Sequence, residues 1–141
     1  MAMKSAANLA ERYLDLLAEE GYRPKLEGSS DVHAVISFKS EGESFMVFVD
    51  EDDESFLHVG SFYELGKIEA DSALSLANEL NEQLKVIKIT VSPQDNAVRF
   101  HVESFLDEAP AMSHIELAVS SLREAAVEFF EPARSADHLD A

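Results

Sequence analysis

The chain has no cysteine, which removes disulfides, thiolate metal sites and thiol nucleophiles together. It also lacks any apolar run near the ~18 residues that a bilayer-crossing helix needs. Met1 to Asn8 shows neither the basic start nor the apolar segment of a secretory signal. These absences make a cytoplasmic, reducing compartment the expectation. Catalytic signatures are missing as well. No serine sits in a nucleophile elbow, and no glycine-rich loop is shaped to cradle phosphate. The histidines His33, His58, His101, His114 and His138 have no partner at the spacings that zinc uses on helices or in knuckles. The reading is of a protein that is not an enzyme, with no cofactor and no metal. Cations are scarce too: the formal charge is −17. A field of that sign repels phosphate backbones and anionic lipid, so neither nucleic acid nor membrane is an expected partner.

What is present is regular patterning. Length and the absence of an internal linker suggest a single domain over residues 9–131, with residues 1–8 a flexible N-terminus and 132–141 a disordered tail. The clearest stretch runs from Asp71 to Leu106. Ala73, Leu76, Ala77, Leu80 and Leu84 mark one buried helical face. The period then changes to two. Ile87, Ile89 and Val91 alternate with Lys88 and Thr90, and Val98, Phe100 and Val102 alternate with Arg99, His101 and Glu103. Ser92 to Asn96 between them is turn chemistry, with Pro93 suited to the second position of a type I turn. A four-residue loop pairs Ile89 with Phe100, Lys88 with His101 and Val86 with Glu103.

Upstream, Leu9, Tyr13, Leu16 and Leu17 give helix 1 an inward stripe, Gly21 caps it and Pro24 prevents continuation. Arg23 to Asp31 reads as a polar connection. Three strands follow, near 32–39, 44–50 and 55–62. Glu41-Gly42 suits a two-residue hairpin loop, which pairs Phe38 with Phe45, Ile36 with Val47 and Ala34 with Val49. Asp50 to Glu54 is an acidic run without the ligand spacing of a calcium loop, and reads as a solvated turn. Helix 3 starts between Pro110 and Ser113, with Ser113 and Glu116 as a capping box, and ends at Pro132.

The same hairpin register sets Val35 against Phe48 and Ser37 against Met46 on the second face. Water-facing positions should be polar, as they are on the later hairpin; here they are not. The third strand adds either Phe56, His58 and Phe62, or Leu57 and Val59, depending on its register. Val35, Met46, Phe48, Phe56 and His58 are therefore the candidate protein-interaction residues. The structural alternative is that a loop, the N-terminal segment or helix 3 folds over them.

The order helix, three strands, helix, two strands, helix, with acidic character and small size, resembles the type III secretion chaperone-like fold. Within that fold it resembles the YbjN family of putative bacterial sensory-transduction regulators. The resemblance is carried by Tyr13-Leu14 through Glu20-Gly21-Tyr22-Arg23-Pro24, by Val47-Phe48-Val49-Asp50-Glu51-Asp52 with Phe56-Leu57, and most strongly by Ala77-Asn78-Glu79-Leu80-Asn81 leading into Lys85-Val86-Ile87-Lys88-Ile89. It implies an α+β, two-layer α-β-β-β-α-β-β-α architecture whose five-stranded antiparallel sheet has the order 1-2-3-5-4. Secretion chaperones of this fold are small acidic homodimers that hold extended client segments, which makes a homodimer, a protein partner or a client peptide the expected company. A regulatory protein-interaction domain is the first reading. A secretion-type chaperone and a small-molecule binder are the alternatives.

Overall fold

The computed structural model describes residues 6–30, 32–50 and 53–139, with side chains over 8–30, 32–50 and 53–132. The elements are α1 (Ala6–Glu19), β1 (Lys25–Ser29), β2 (His33–Ser40), β3 (Glu43–Asp50), β4 (Phe56–Glu64), α2 (Ala70–Gln83), β5 (Ile87–Ser92), β6 (Ala97–Phe105) and α3 (Met112–Leu139). The class is α+β, but the sheet has six strands rather than five, in the order β1-β2-β3-β4-β6-β5. The additional strand is β1, which lies within the stretch read as a polar connection. It is exposed along its whole length and pairs with β2 across a bulge between Leu26 and Gly28. Edge strands need no buried face, so Lys25-Leu26-Glu27-Gly28-Ser29 carries no alternating signal.

Both hairpin registers follow from their turns. Glu41 and Gly42 have φ of 53° and 83°, the two left-handed residues of a type I′ turn, and glycine adopts that conformation without steric penalty. Phe38 then faces Phe45 and Val35 faces Phe48. In the second hairpin Ile89 faces Phe100 and Lys88 faces His101. The Asn96 N–H donates to the Pro93 carbonyl, so Pro93 opens that turn instead of taking its second position. Val86 does not pair with Glu103. It precedes β5 with φ of 68°, a strained conformation for a β-branched residue, where the chain swings from α2 into the sheet.

The core lies on one face of the sheet. Ile36, Phe45, Val47, Val59, Val98 and Phe100 are fully covered by Leu17 and Tyr13 of α1, Ala73, Ala77 and Leu80 of α2, and Ile115, Leu122 and Phe129 of α3. Two helix ends differ from the sequence reading. No Ser113–Glu116 box forms, because α3 begins at Met112; His114 instead accepts the Ala111 N–H on Nδ1 at 3.0 Å, taking the role a capping-box acid would. Pro132 does not end α3, which continues to Leu139; the ring removes one donor from the helix without closing it. Residues 1–5 and 140–141 of the expected flexible termini lie outside the described residues, as do Asp31, Glu51 and Asp52.

Asn81 fastens α2 to the edge strand β5. Its Oδ1 accepts the Ile89 N–H at 2.8 Å, and its Nδ2 donates to the Ile89 carbonyl at 3.1 Å. The amide thereby occupies the place of a neighbouring strand. Asn81→Ala should lower unfolding free energy by about 1–3 kcal/mol. Amide exchange at Ile89 should accelerate more than at Val98, and equal protection at Ile89 in both proteins would show that the contact is incidental.

Candidate functional site

The second face of the sheet carries the feature that composition left unexplained. Val35, Met46, Phe48, Phe56 and His58 all stand on it, half-exposed, and none belongs to the core. The open question of the third strand is resolved by its pairing with β6. Leu57 and Val59 point into the core, while Phe56, His58 and Phe62 point to the other side. No helix packs against that side among the described residues.

Phe48 is the hub. Its ring lies 4.5 Å from the His58 ring, 6.1 Å from Phe62 and 6.2 Å from His101, so it reaches across β4 toward β6. Gly60 makes this reach possible. A Cβ there would stand 3.0 Å from Phe48 Cε2 and 3.3 Å from His101 Nδ1. Phe62 adds an edge contact to His101, with the Arg99 guanidinium 5.9 Å from the Phe62 centroid. Phe56 meets Phe105, which is 83% exposed.

Sequence spacing missed the centre of this cluster. His58 Nε2 and His101 Nδ1 are 2.8 Å apart, a hydrogen bond between imidazoles 43 residues distant in sequence. One ring must donate and the other accept, so the contact requires at least one neutral imidazole and is lost when both are protonated. Burial lowers the His58 pKa, against the pull of Glu103 and with the push of Lys88. Burial together with the neighbouring His58 pushes His101 down to about 4. Glu103 stands 3.8 Å from His58 Nε2, but its carboxylate is held by Lys88 at 3.1 Å. Among the described residues no three metal-ligating side chains are arranged to hold an ion. Elsewhere His33 lies against Asp50 and His114 against Glu108, and the side chain of His138 lies outside the described residues.

Charge on this face is balanced, unlike the chain as a whole. Strand pairing sets Lys25, Lys39, Lys88 and Arg99 beside Glu27, Asp50, Glu64 and Glu103. The formal −17 therefore resides elsewhere. Lys25 pairs with Glu27 and Lys88 with Glu103, while Asp50 meets His33 and Arg99 meets Asp95; Lys39 and Glu64 have no ion pair among the described residues.

On the opposite side of the molecule a groove of about 830 Å³ runs between α2, α3 and the end of β4. Tyr63, Leu65, Leu76, Phe129 and Phe130 make its walls, with Lys67, Glu69 and Arg123 at the rim. Arg123 is already engaged, donating to the Ser40 carbonyl and hydroxyl at 2.6 and 2.8 Å.

Comparison with known proteins adds two findings. A model for the family named YbjN, described as "Putative bacterial sensory transduction regulator", matches residues 10–135. A crystal structure of an uncharacterized protein from Methanothermobacter thermautotrophicus superposes with a TM-score of 0.64 at 8% identity, over 93% of this chain and 98% of that one. That likeness is one of fold alone. Among curated proteins, none matches.

The histidine pair ties stability to acidity. In the unfolded chain both imidazoles titrate near 6.5, and in the folded protein both titrate lower. Below 6.5 the unfolded chain thus binds more protons, and stability falls as pH drops toward about 4, where His101 finally titrates. An imidazole NMR titration should place the His101 midpoint near 4. Urea unfolding should show a slope in that window that shrinks in a His58→Gln/His101→Gln chain. An ordinary midpoint for His101 would show that the pair does not form.

Proposed function

We propose, from the premise that the chain belongs to the YbjN family, that it is a non-catalytic regulatory domain that docks a protein through the second face of its sheet. The observation that carries this reading is the aromatic cluster around Phe48, left uncovered by all three helices on a face whose charges cancel. Contiguous apolar surface on a water-soluble domain marks contact sites, and interface centres favour aromatic residues with charge kept to the rim. Val35, Met46, Phe48, Phe56 and His58 are the contact residues, joined by Phe62 and His101. The family description of a regulator supports a role exercised by binding.

A photo-crosslinking residue placed at Phe48 in the source cell should trap a discrete protein adduct. The same probe at Leu117, an exposed position on α3, should not. Equal labelling at both positions, or none at Phe48, overturns the reading.

The groove between α2 and α3 favours a second reading, a small-molecule site. Its volume of about 830 Å³ and largely apolar wall fall within the range of ligand pockets. A metabolite that raises the melting temperature of the protein, and no longer does so for Leu76→Gln, would support it, since a ligand selective for the native state stabilises that state. A panel without any such shift counts against the groove and leaves the sheet face as the site.

A further inference from the structure

We propose that the occupant of the open sheet face is a second copy of this chain, seated sheet against sheet on a two-fold axis that runs along β3. The inference rests on the docking reading above and names its partner. Charge makes the first argument. Two chains of formal charge −17 repel wherever their acidic surfaces meet. The second sheet face, with its cations matched by carboxylates, is a surface on which they can meet without that repulsion. Seated there, each copy keeps its acidic helical side in water.

The second argument is self-complementarity. An isologous interface must satisfy each group with a group from the same patch. An axis along β3 lays β2 of one copy over β4 of the other. Phe48 then meets its own counterpart, and Val35 meets His58. Lys39 and Glu64, the two charges on the face with no ion pair among the described residues, lie at the same end of β2 and β4 and so fall within reach of each other across the interface. The symmetry operation supplies each with the partner it lacks.

Area is the third. Strands spaced ~4.8 Å apart and rising ~3.3 Å per residue give this face roughly 600 Å² on each copy. The total of about 1,200 Å² reaches the lower bound for a specific interface. A stable but reversible dimer is the consequence.

This seat places the His58–His101 pair in a dry centre. Facing it are Glu103, Lys88 and Arg99 from its own sheet and, from the opposed copy, Lys25 of β1 with its partner Glu27. A proton on the pair adds positive charge beside three cations and two carboxylates in that dry seat, and a second proton removes the acceptor and breaks the hydrogen bond. Acid should therefore part the copies.

Sedimentation of the intact purified chain tests the proposal. Near pH 7.5 and micromolar concentration, the mass should be twice the 15.6 kDa of one chain. Lys39→Glu should raise the dissociation constant about tenfold, and Lys39→Glu with Glu64→Lys should restore it, since the pair is regained with its signs exchanged. Phe48→Asp should give a monomer with unchanged circular dichroism. If that variant unfolds, the rim pair alone decides. Lowering the pH toward about 4, where His101 titrates, should weaken the dimer, and His58→Gln/His101→Gln should reduce that dependence. A monomer at every concentration overturns the inference, as does a dimer indifferent to Lys39→Glu and its compensated form. Docking and self-pairing fail separately: a monomer that still crosslinks another protein at Phe48 keeps the first and loses the second.

Discussion

A sheet has two faces, and the three helices of this chain cover one. That single shortage of cover governs everything else. On the helical side, strand residues are sealed to near zero exposure by α1, α2 and α3. On the other side, among the described residues, the sheet has only its own side chains with which to shelter apolar surface. It does so sideways. Rings on β3, β4 and β6 lean on one another, Phe48 on His58, Phe62 on His101, Phe56 on Phe105, and all but Phe105 are partly hidden by their neighbours. Lateral stacking of this kind lowers exposure without eliminating it. The face is left fit for a contact.

What was legible in the sequence follows the range of the interactions involved. Hairpin registers are set by a few adjacent residues, and Glu41-Gly42 was enough to place Phe38 opposite Phe45 and Val35 opposite Phe48. The amphipathic helices were legible for the same reason. Contacts that depend on distant strands were not. The pairing of β4 with β6 joins segments some forty residues apart across α2, and it alone decides that His58 meets His101. No spacing rule encodes that encounter, because its register is fixed by burial of Leu57, Val59 and Ser61 rather than by a turn. Strand β1 was missed for the opposite reason: an exposed edge strand needs no pattern. Proline signals also misled at the end of α3, where the helix absorbs the lost hydrogen bond at Pro132 and continues.

The acidity of the chain takes a different meaning once it is mapped. As a bulk number, −17 weighs against phosphate-rich partners and says little else. Distributed over the fold, it is nearly absent from the one face with aromatic residues at its centre. Neutrality there is built from opposed pairs, Lys88 with Glu103, Lys25 with Glu27 and Arg99 with Asp95 at its margin. Such exposed pairs add little to stability; their effect is to leave this face without net charge.

Gly60 shows how closely fold and site are bound together. Glycine weakens a strand interior by roughly 0.5–1 kcal/mol relative to alanine, and Gly60 sits in the middle of the central strand β4, paired with Met46 on one side and His101 on the other. Its packing on the core side gives no reason for it, since the strand there is flanked by Val59 and Ser61, both fully buried. The reason lies on the open face. A Cβ at that position would press on the edge of the Phe48 ring at 3.0 Å and crowd the imidazole of His101 at 3.3 Å. A strand that needed only to hold the sheet together would be better served by a β-branched residue. The loss of propensity is explained by the arrangement it permits, a flat aromatic crossing from β3 to β6 above a pair of neutral imidazoles.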